Sequence, residues 1–197
     1  MRLEFPRTIP DEYLRAIGCV VNEWSYMEVL IDNALATISE LKRSDALVLL
    51  THLQTETKLN SISNILTQKT ESKTLLKKWE TTISEIRRLK SKRNLIVHSN
   101  WMFQTTLPAG TTKMETSELL KHPTSIIGTH IHAKGKETKS RNIHVIAETI
   151  ENLANDIRNI QNNFITLIGE TAKACKFDTE IGSEKNMAQV KHVKVDI

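Results

Sequence analysis

The chain is 197 residues long, with 25% charged, 39% hydrophobic and 5% aromatic residues. This length allows one domain with a sizeable core, and the composition is typical of a globular protein. The formal net charge of +4 mildly favours nucleic-acid binding. No apolar run reaches membrane-spanning length, which excludes a transmembrane segment, and the first residues lack the apolar core of a secretory signal. We therefore expect a cytoplasmic protein with no membrane partner.

The sequence predicts neither a metal ion nor another cofactor. Its two cysteines, Cys19 and Cys175, lie far apart and form no metal-ligand spacing. His130-x-His132 with His144 is the nearest approach to a metal site, but no cysteine or well-placed carboxylate completes it. The chain also lacks a glycine-rich phosphate loop and a G-x-S-x-G nucleophile motif, which disfavours the common nucleotide-binding and hydrolase classes.

The N-terminal part of the chain predicts one long helix. Pro10-Asp11-Glu12 is typical of a helix start, because acidic residues in the first turn favour the helix dipole. Residues then recur at alternating spacings of three and four, as on one face of a helix. The predicted face consists of Leu14, Ile17, Val21, Trp24, Glu28, Ile31, Leu35 and Ile38. One member, Glu28, is a carboxylate where the pattern requires an apolar side chain.

Three more helices are predicted downstream. The second begins at Ser44 or Asp45 and ends near Leu66, with a polar middle at residues 54–58. The third begins near Lys73, is rich in lysine and arginine, and ends near His98. The fourth spans about residues 146–170, with the apolar stripe Ile146, Ile150, Leu153, Ile157, Ile160, Phe164 and Leu167. Four amphipathic helices predict an all-α protein built as an up-and-down four-helix bundle.

Residues 99–145 have a different pattern from the helices on either side. Apolar and polar residues alternate from Trp101 to Leu107, and two further strand-like runs, residues 125–133 and 141–145, predict a small β-hairpin. We interpret residues 1–197 as a single domain. Residues 11–98 and 146–170 form its helical core, residues 99–145 form a β-containing insertion between the third and fourth long helices, and residues 171–197 form a C-terminal tail.

The hexapeptide Arg93-Asn94-Leu95-Ile96-Val97-His98 is the strongest candidate site. An arginine that stays charged and an imidazole that titrates near neutrality suit phosphodiester cleavage. In an ideal helix Arg93 points about 140° away from His98, so the two can converge only where the helix ends or the arginine wraps round. The turn formers Ser99-Asn100 favour such an end. The same six residues could also be an ordinary helix end.

This motif resembles the R-x4-H signature of the HEPN superfamily. The shared features are Arg-Asn-x-x-x-His at the end of a basic third helix, a tryptophan within the next three residues, and Trp-x-x-x-Glu on the first helix. The resemblance covers about residues 11–170 and implies a four-helix bundle of HEPN type. Active members of the superfamily are metal-independent endoribonucleases that work as two-fold dimers. The Arg-His pairs of both chains line one cleft, where the RNA 2′-hydroxyl attacks the adjacent phosphate.

The resemblance also implies a role for each residue of the motif. Arg93 would stabilise the charged phosphate, His98 would act on a proton, and Asn94 would orient the pair. Ser99 stands where many relatives carry glycine. The implied protein is a homodimeric toxin or defence effector that cleaves RNA, with a cognate antitoxin protein as a further partner. The alternative is a non-catalytic HEPN-like module for RNA binding, protein binding or dimerisation; a third interpretation is a plain helical interaction domain in which the motif is coincidental.

Charged residues outside the motif are candidates for supporting roles. Glu28 and Arg93 both interrupt apolar stripes, and because buried charges are tolerated mainly in pairs, we expect Glu28 to pair with and orient Arg93. Glu28 could instead bond a helix end or reach solvent at the rim of the bundle. RNA-backbone contacts are expected from the basic residues Arg88, Lys90, Lys92 and Lys58. The alternative for these basic residues is a solvated helix face.

Overall fold

The computed structural model describes residues 9–103, 126–134 and 137–176. These residues form five helices: α1 (Asp11–Ile38), α2 (Arg43–Leu50), α3 (Thr55–Lys69), α4 (Lys73–Val97) and α5 (Ala147–Cys175). They also form three strands: β1 (Asn100–Phe103), β2 (Ile126–Lys134) and β3 (Glu137–Val145). The prediction of a predominantly helical protein is confirmed. Residues 104–125 of the predicted insertion and the tail beyond residue 176 lie outside the described residues.

The three strands occupy the connection between α4 and α5. They pair antiparallel in the order β1-β2-β3. Trp101 of β1 stands opposite Gly128 of β2, and β2 and β3 pair from Ile126 opposite Val145 to Lys134 opposite Glu137. β1 begins three residues after the last residue of α4, so the strand follows the hexapeptide directly.

The predicted second helix is divided into α2 and α3. Helix α2 ends at Leu50, Thr51 still has helical backbone angles (φ −57°, ψ −33°), and Gln54 has an extended backbone (φ −68°, ψ 147°). The amide of Leu53 donates to the carbonyl of Leu50 at 3.1 Å and closes the turn between the two helices. The division falls at residues 51–54, and residues 55–58 of the polar stretch form the first turn of α3.

The buried face of α1 agrees with the predicted one only in part: Trp24, Ile31, Leu35 and Ile38 are buried as predicted. Leu14 and Val21, which were predicted to be buried, are 51% and 37% exposed, and Glu28 is exposed as well. The side chains that α1 buries are those of Tyr13, Ala16, Val20, Trp24, Met27, Leu30, Ile31, Ala34, Leu35, Ala36 and Ile38. Two apolar stripes, one residue out of register, run along this helix, and spacing alone cannot distinguish them.

The apolar stripe predicted for the last helix is largely confirmed. Six of its members are buried: Ile150, Leu153, Ile157, Ile160, Phe164 and Leu167. Ile146, the remaining member, precedes the first residue of α5 and is 49% exposed. None of the helices in the described part of the chain combines the length and hydropathy needed to cross a membrane.

The chain divides into two compact units. The first unit comprises Met1–Tyr26 with Ser84–Ile160, and it therefore holds the hexapeptide and the three strands. Its core includes Trp24 of α1, Ile86 of α4 and Ile157 of α5.

The second unit comprises Met27–Ile83 with Gln161–Ile197. In its core Trp79 packs edge-on against Phe164, with ring centroids 5.3 Å apart and an interplanar angle of 79°. The indole Nε1 of Trp79 donates to Thr171 Oγ1 at 2.8 Å, and that hydroxyl donates to the carbonyl of Leu167 at 2.7 Å.

Candidate active site

Side chains that follow the hexapeptide satisfy the carbonyls at the end of α4. The amide of His98 donates to the carbonyl of Asn94 at 3.0 Å and completes the last helical bond. Beyond it, the hydroxyl of Ser99 donates to the carbonyl of Leu95 at 2.5 Å, and the indole Nε1 of Trp101 donates to the carbonyl of Ile96 at 2.8 Å. Carbonyls in the last turn have no partner within the helix. Ser99 and Trp101 therefore cap α4 and fix the position at which His98 leaves it.

The side chain of Arg93 turns towards this helix end. Its Nη1 donates to Asn94 Oδ1 at 3.1 Å and lies 3.4 Å from His98 Nε2. Arg93 and Asn94 are half-buried, whereas His98 is exposed. The helix ends at Val97 and the arginine wraps round, which are the two conditions under which the pair can meet. The structure thus brings Arg93, Asn94 and His98 together.

The contact between Arg93 and His98 determines which nitrogen of the imidazole faces the guanidinium. A guanidinium carries only donors, so a hydrogen bond between the two groups, 3.4 Å apart, uses the lone pair of His98 Nε2. The arrangement therefore directs Nε2 at Arg93, and Nε2 becomes available to another group when this contact opens.

Arg93 also has a donor that its neighbours do not use. Its Nε is shielded from solvent and has no hydrogen-bond partner among the residues that the structure describes. A buried donor without an acceptor costs about 1–3 kcal/mol. Such unsatisfied groups are uncommon in folded proteins, and a donor of this kind can serve to bind a ligand or to take part in catalysis.

Glu28 lies in the second unit, whereas Arg93 lies in the first. The carboxylate Oε1 of Glu28 accepts a hydrogen bond of 3.2 Å from Thr55 Oγ1, at the start of α3. Glu28 thus contacts a helix end, which was one of the alternatives for this residue. Its pairing with Arg93 stays a prediction.

The predicted RNA contacts on α4 have different surroundings. Arg88 is held by Glu85, with Nε 2.8 Å from Oε2 and Nη2 2.5 Å from Oε1, and its Nη2 also lies 3.9 Å from Asp156 Oδ2. The hydrogen bond from Arg88 lowers the pKa of Glu85, and the same bond raises the pKa of Arg88. Lys92 is exposed and Lys90 is half-buried. Lys92 is therefore more accessible to a polyanion than Arg88 or Lys90.

Lys58, the fourth predicted RNA contact, is buried in the second unit. Its Nζ lies 2.5 Å from Asp32 Oδ1, and only 9% of its side chain is exposed. Contact with a phosphate would require this ion pair to open. Lys58 is therefore poorly placed for RNA, and its polar position in the sequence is explained by the pairing with Asp32.

The capping roles of Ser99 and Trp101 and the clamp of Glu85 on Arg88 were not predicted from the sequence. The turn-forming residues after the motif indicated only that the helix ends there. The side chains of His130, His132 and His144 lie outside the described part of the structure. Within the described part, no group of three or more histidine, cysteine, aspartate or glutamate residues could hold a metal ion.

Comparison of the chain with protein-family models, with curated proteins and with solved structures yields no match. The case for a function therefore rests on the residues at the end of α4 and on their geometry.

Proposed function

We propose that this protein is a metal-independent endoribonuclease of HEPN type that acts as a homodimer. The observation that carries the proposal is the 3.4 Å contact between Arg93 Nη1 and His98 Nε2. It places a permanent cation beside a titratable proton acceptor at an exposed helix end, as phosphodiester cleavage requires. Its toxin or defence role, with a cognate antitoxin, follows from the resemblance of the motif.

The residues of the motif divide the chemistry among them. Once the RNA phosphate has drawn Arg93 away from the imidazole, His98 Nε2 removes the proton from the RNA 2′-hydroxyl. The 2′-oxygen then attacks the adjacent phosphorus and displaces the 5′-oxygen, leaving a 2′,3′-cyclic phosphate. Arg93 donates to the phosphate oxygens as negative charge builds up on them. Asn94 Oδ1 holds the guanidinium in place through its 3.1 Å hydrogen bond. In the homodimer the second His98 supplies the proton to the leaving oxygen.

The proposed fold and assembly follow from the same resemblance. The long helices α1, α4 and α5, with α2 and α3 together as the second member, form an up-and-down four-helix bundle of HEPN type. The three strands form a hairpin-containing insertion between α4 and α5. Two chains then bring their Arg93–His98 pairs to one cleft, and Glu28 supports Arg93 there.

Affinity for the RNA backbone comes from basic residues of α4 near the motif. Lys92 is exposed and supplies a phosphate contact, with Lys90 beside it. Arg88 contributes less, because Glu85 holds its guanidinium with two hydrogen bonds. Lys58 contributes no contact while Asp32 binds its ammonium.

RNA cleavage in the presence of EDTA tests the proposal. We expect the unmodified protein to cleave labelled RNA and to leave 2′,3′-cyclic ends. We expect His98→Ala and Arg93→Ala each to lower the rate by at least 100-fold, within the usual range for an acid–base group. Arg93→Lys should recover little, because a lysine cannot span the phosphate with two parallel donors.

A second Arg-Asn pair with a nearby histidine supplies a matched control. Arg141→Ala with His144→Ala removes the same residue types from β3 and should leave the rate unchanged. Intact RNA with every variant, including the unmodified chain, would exclude the nuclease and favour the non-catalytic module. Cleavage that EDTA abolishes would indicate a metal-dependent enzyme instead.

A further inference from the structure

A groove in the second unit lies between the first half of α4 and the second half of α5. Its volume is about 790 Å³. Residues of α4 and α5 line it, among them Lys73, Lys77, Lys78, Asn163, Thr166 and Glu170. None of these residues belongs to the candidate active site.

The charge of the groove favours an anionic occupant. Three lysines and one glutamate line the groove, which gives its lining a net charge of +2. Lys78 pairs with Glu170 at 2.8 Å, and Lys77 pairs with Glu80 at 3.1 Å through side chains that are about three-quarters exposed. Lys73 has no ion-pair partner in the described part of the chain, so Lys73 and Lys77 are the cations available to a ligand.

The hydroxyl groups of the groove favour RNA over DNA. Thr81 Oγ1 donates to the carbonyl of Lys77 at 2.9 Å, and Thr166 Oγ1 donates to the carbonyl of Asn162 at 3.1 Å. Because both hydroxyl protons are used within their own helices, the two oxygens can act towards a ligand only as acceptors. A ribose 2′-hydroxyl is a donor of the matching kind, and DNA lacks it.

We propose that this groove binds the ribose–phosphate backbone of single-stranded RNA. Lys73 and Lys77 contact phosphates, and the oxygens of Thr81 and Thr166 accept hydrogen bonds from 2′-hydroxyls. The groove is an RNA contact additional to Arg93 and His98, and it contributes affinity without taking part in the reaction. The choice of RNA rests on the proposed function, while the binding itself requires no cleavage.

Equilibrium binding in a salt series tests the groove. The probe is a labelled single-stranded RNA of about 20 nucleotides, measured in EDTA by fluorescence anisotropy, with every protein carrying His98→Ala so that the RNA stays intact. Loss of two phosphate contacts lowers the slope of log K against log salt by about 1.4. We therefore expect Lys73→Gln with Lys77→Gln to show that change in slope and a Kd about tenfold weaker at physiological salt.

A charge-matched pair of substitutions outside the groove is the control. The double variant Lys42→Gln, Lys176→Gln removes two exposed lysines of the second unit that do not line the groove, and it should leave the Kd and the slope unchanged. Equal binding by the groove variant and this control would overturn the proposal. DNA of the same sequence should bind more weakly than RNA, and the difference should shrink in the groove variant.

Two further results would also be decisive. Displacement of the RNA by an acidic peptide whose own binding depends on Lys73 and Lys77 would reassign the groove to a protein partner. Cleavage is measured separately with His98 intact, so the two proposals fail separately. If the groove variant binds RNA more weakly but the protein with His98 intact cleaves no RNA, the groove proposal stands and the nuclease is excluded. If His98-dependent cleavage is observed but the groove variant binds RNA normally, the nuclease stands and the groove proposal is excluded.

Discussion

The indole Nε1 of Trp101 donates a 2.8 Å hydrogen bond to the carbonyl of Ile96 and so attaches the start of β1 to the last turn of α4. Ser99 makes the same kind of bond to the neighbouring carbonyl of Leu95. His98 lies between these two bonds along the chain. The position of its imidazole, relative to an arginine inside the helix, therefore depends on two residues that follow the motif.

Trp101→Phe should weaken the helix end while keeping most of the aromatic ring. Loss of the indole donor should lower the free energy of unfolding by about 1 kcal/mol, the usual value of one hydrogen bond. Because the imidazole is then held less firmly, we expect kcat for RNA cleavage to fall at least fivefold with little change in KM. Chemical denaturation and steady-state cleavage measure the two effects.

Trp79→Phe is the matched control for this experiment. It also removes an indole donor, the one that bonds Thr171, but in the second unit. It should reduce stability by a similar amount and leave kcat unchanged. A parallel loss of kcat in both variants would mean that Trp101 acts on activity through stability alone.

Thr171→Val should destabilise the second unit markedly. Thr171 is only 1% exposed. Its hydroxyl accepts a hydrogen bond from the Trp79 indole and donates one to the carbonyl of Leu167. Loss of the hydroxyl therefore leaves a buried indole donor unsatisfied. We expect a decrease of about 1–3 kcal/mol in the free energy of unfolding. Thr166→Val removes an equivalent bond to the helix backbone at an exposed position and should change stability by about 0.5 kcal/mol or less. Similar losses for the two variants, measured by urea denaturation, would contradict this explanation.

Removing Asp32 and removing Lys58 from their ion pair should lower the free energy of unfolding by different amounts. Asp32→Asn leaves a lysine whose side chain is only 9% exposed without its counter-ion, and we expect a loss of about 1–3 kcal/mol. Lys58→Met should cost less, because the side chain of Asp32 is 36% exposed against 9% for Lys58, although the Oδ1 that faces Lys58 is itself shielded from solvent. The double variant should be more stable than Asp32→Asn alone. Urea denaturation of the three variants measures the order, and a larger loss from Lys58→Met would show that the carboxylate is the more deeply buried charge.

Helix α1 illustrates which features could be predicted from the sequence. Its extent and helical state agree with the prediction, because they depend on local signals such as the acidic first turn and the spacing of apolar residues. Its buried face agrees only in part. Trp24, Ile31, Leu35 and Ile38 are buried as predicted, but towards the start of the helix Tyr13 and Val20 are buried in place of Leu14 and Val21. Only packing against other helices selects between such neighbouring positions. In α5 a single stripe is present, so spacing was sufficient.

In the candidate site, too, the features that depend on neighbouring residues could be predicted, whereas those that depend on distant residues could not. The convergence of Arg93 and His98 depends on where α4 ends, and the turn formers after the motif indicated that end. The capping by Trp101 could not be predicted, because it depends on the direction in which β1 leaves the helix. The burial of Lys58 likewise depends on Asp32, a residue 26 positions earlier in the chain.

Tyr13 should make the stability of the protein decrease at alkaline pH. Its side chain is buried, and this burial, followed by the charge of Glu12, raises its pKa above the ordinary value of 10.0, while a hydrogen bond with the backbone of Ala147 opposes the shift. The folded state therefore holds the phenolic proton more tightly than the unfolded state. The stabilisation is fully present below about pH 10 and is lost as the pH rises through the folded-state pKa.

Tyr13→Phe removes this titration and keeps the ring in the core. Between pH 9 and 11 the free energy of unfolding of the unmodified protein should decrease relative to that of Tyr13→Phe, with a slope of at most about 1.4 kcal/mol per pH unit for one proton. Urea denaturation of both proteins at several pH values measures the difference between their free energies of unfolding. Lysine titration affects both proteins alike and therefore does not contribute to this difference. If the free energy of unfolding of the unmodified protein, relative to that of Tyr13→Phe, is constant with pH, Tyr13 titrates alike in the folded and unfolded chains. If it increases with pH, folding lowers the pKa of Tyr13 instead of raising it.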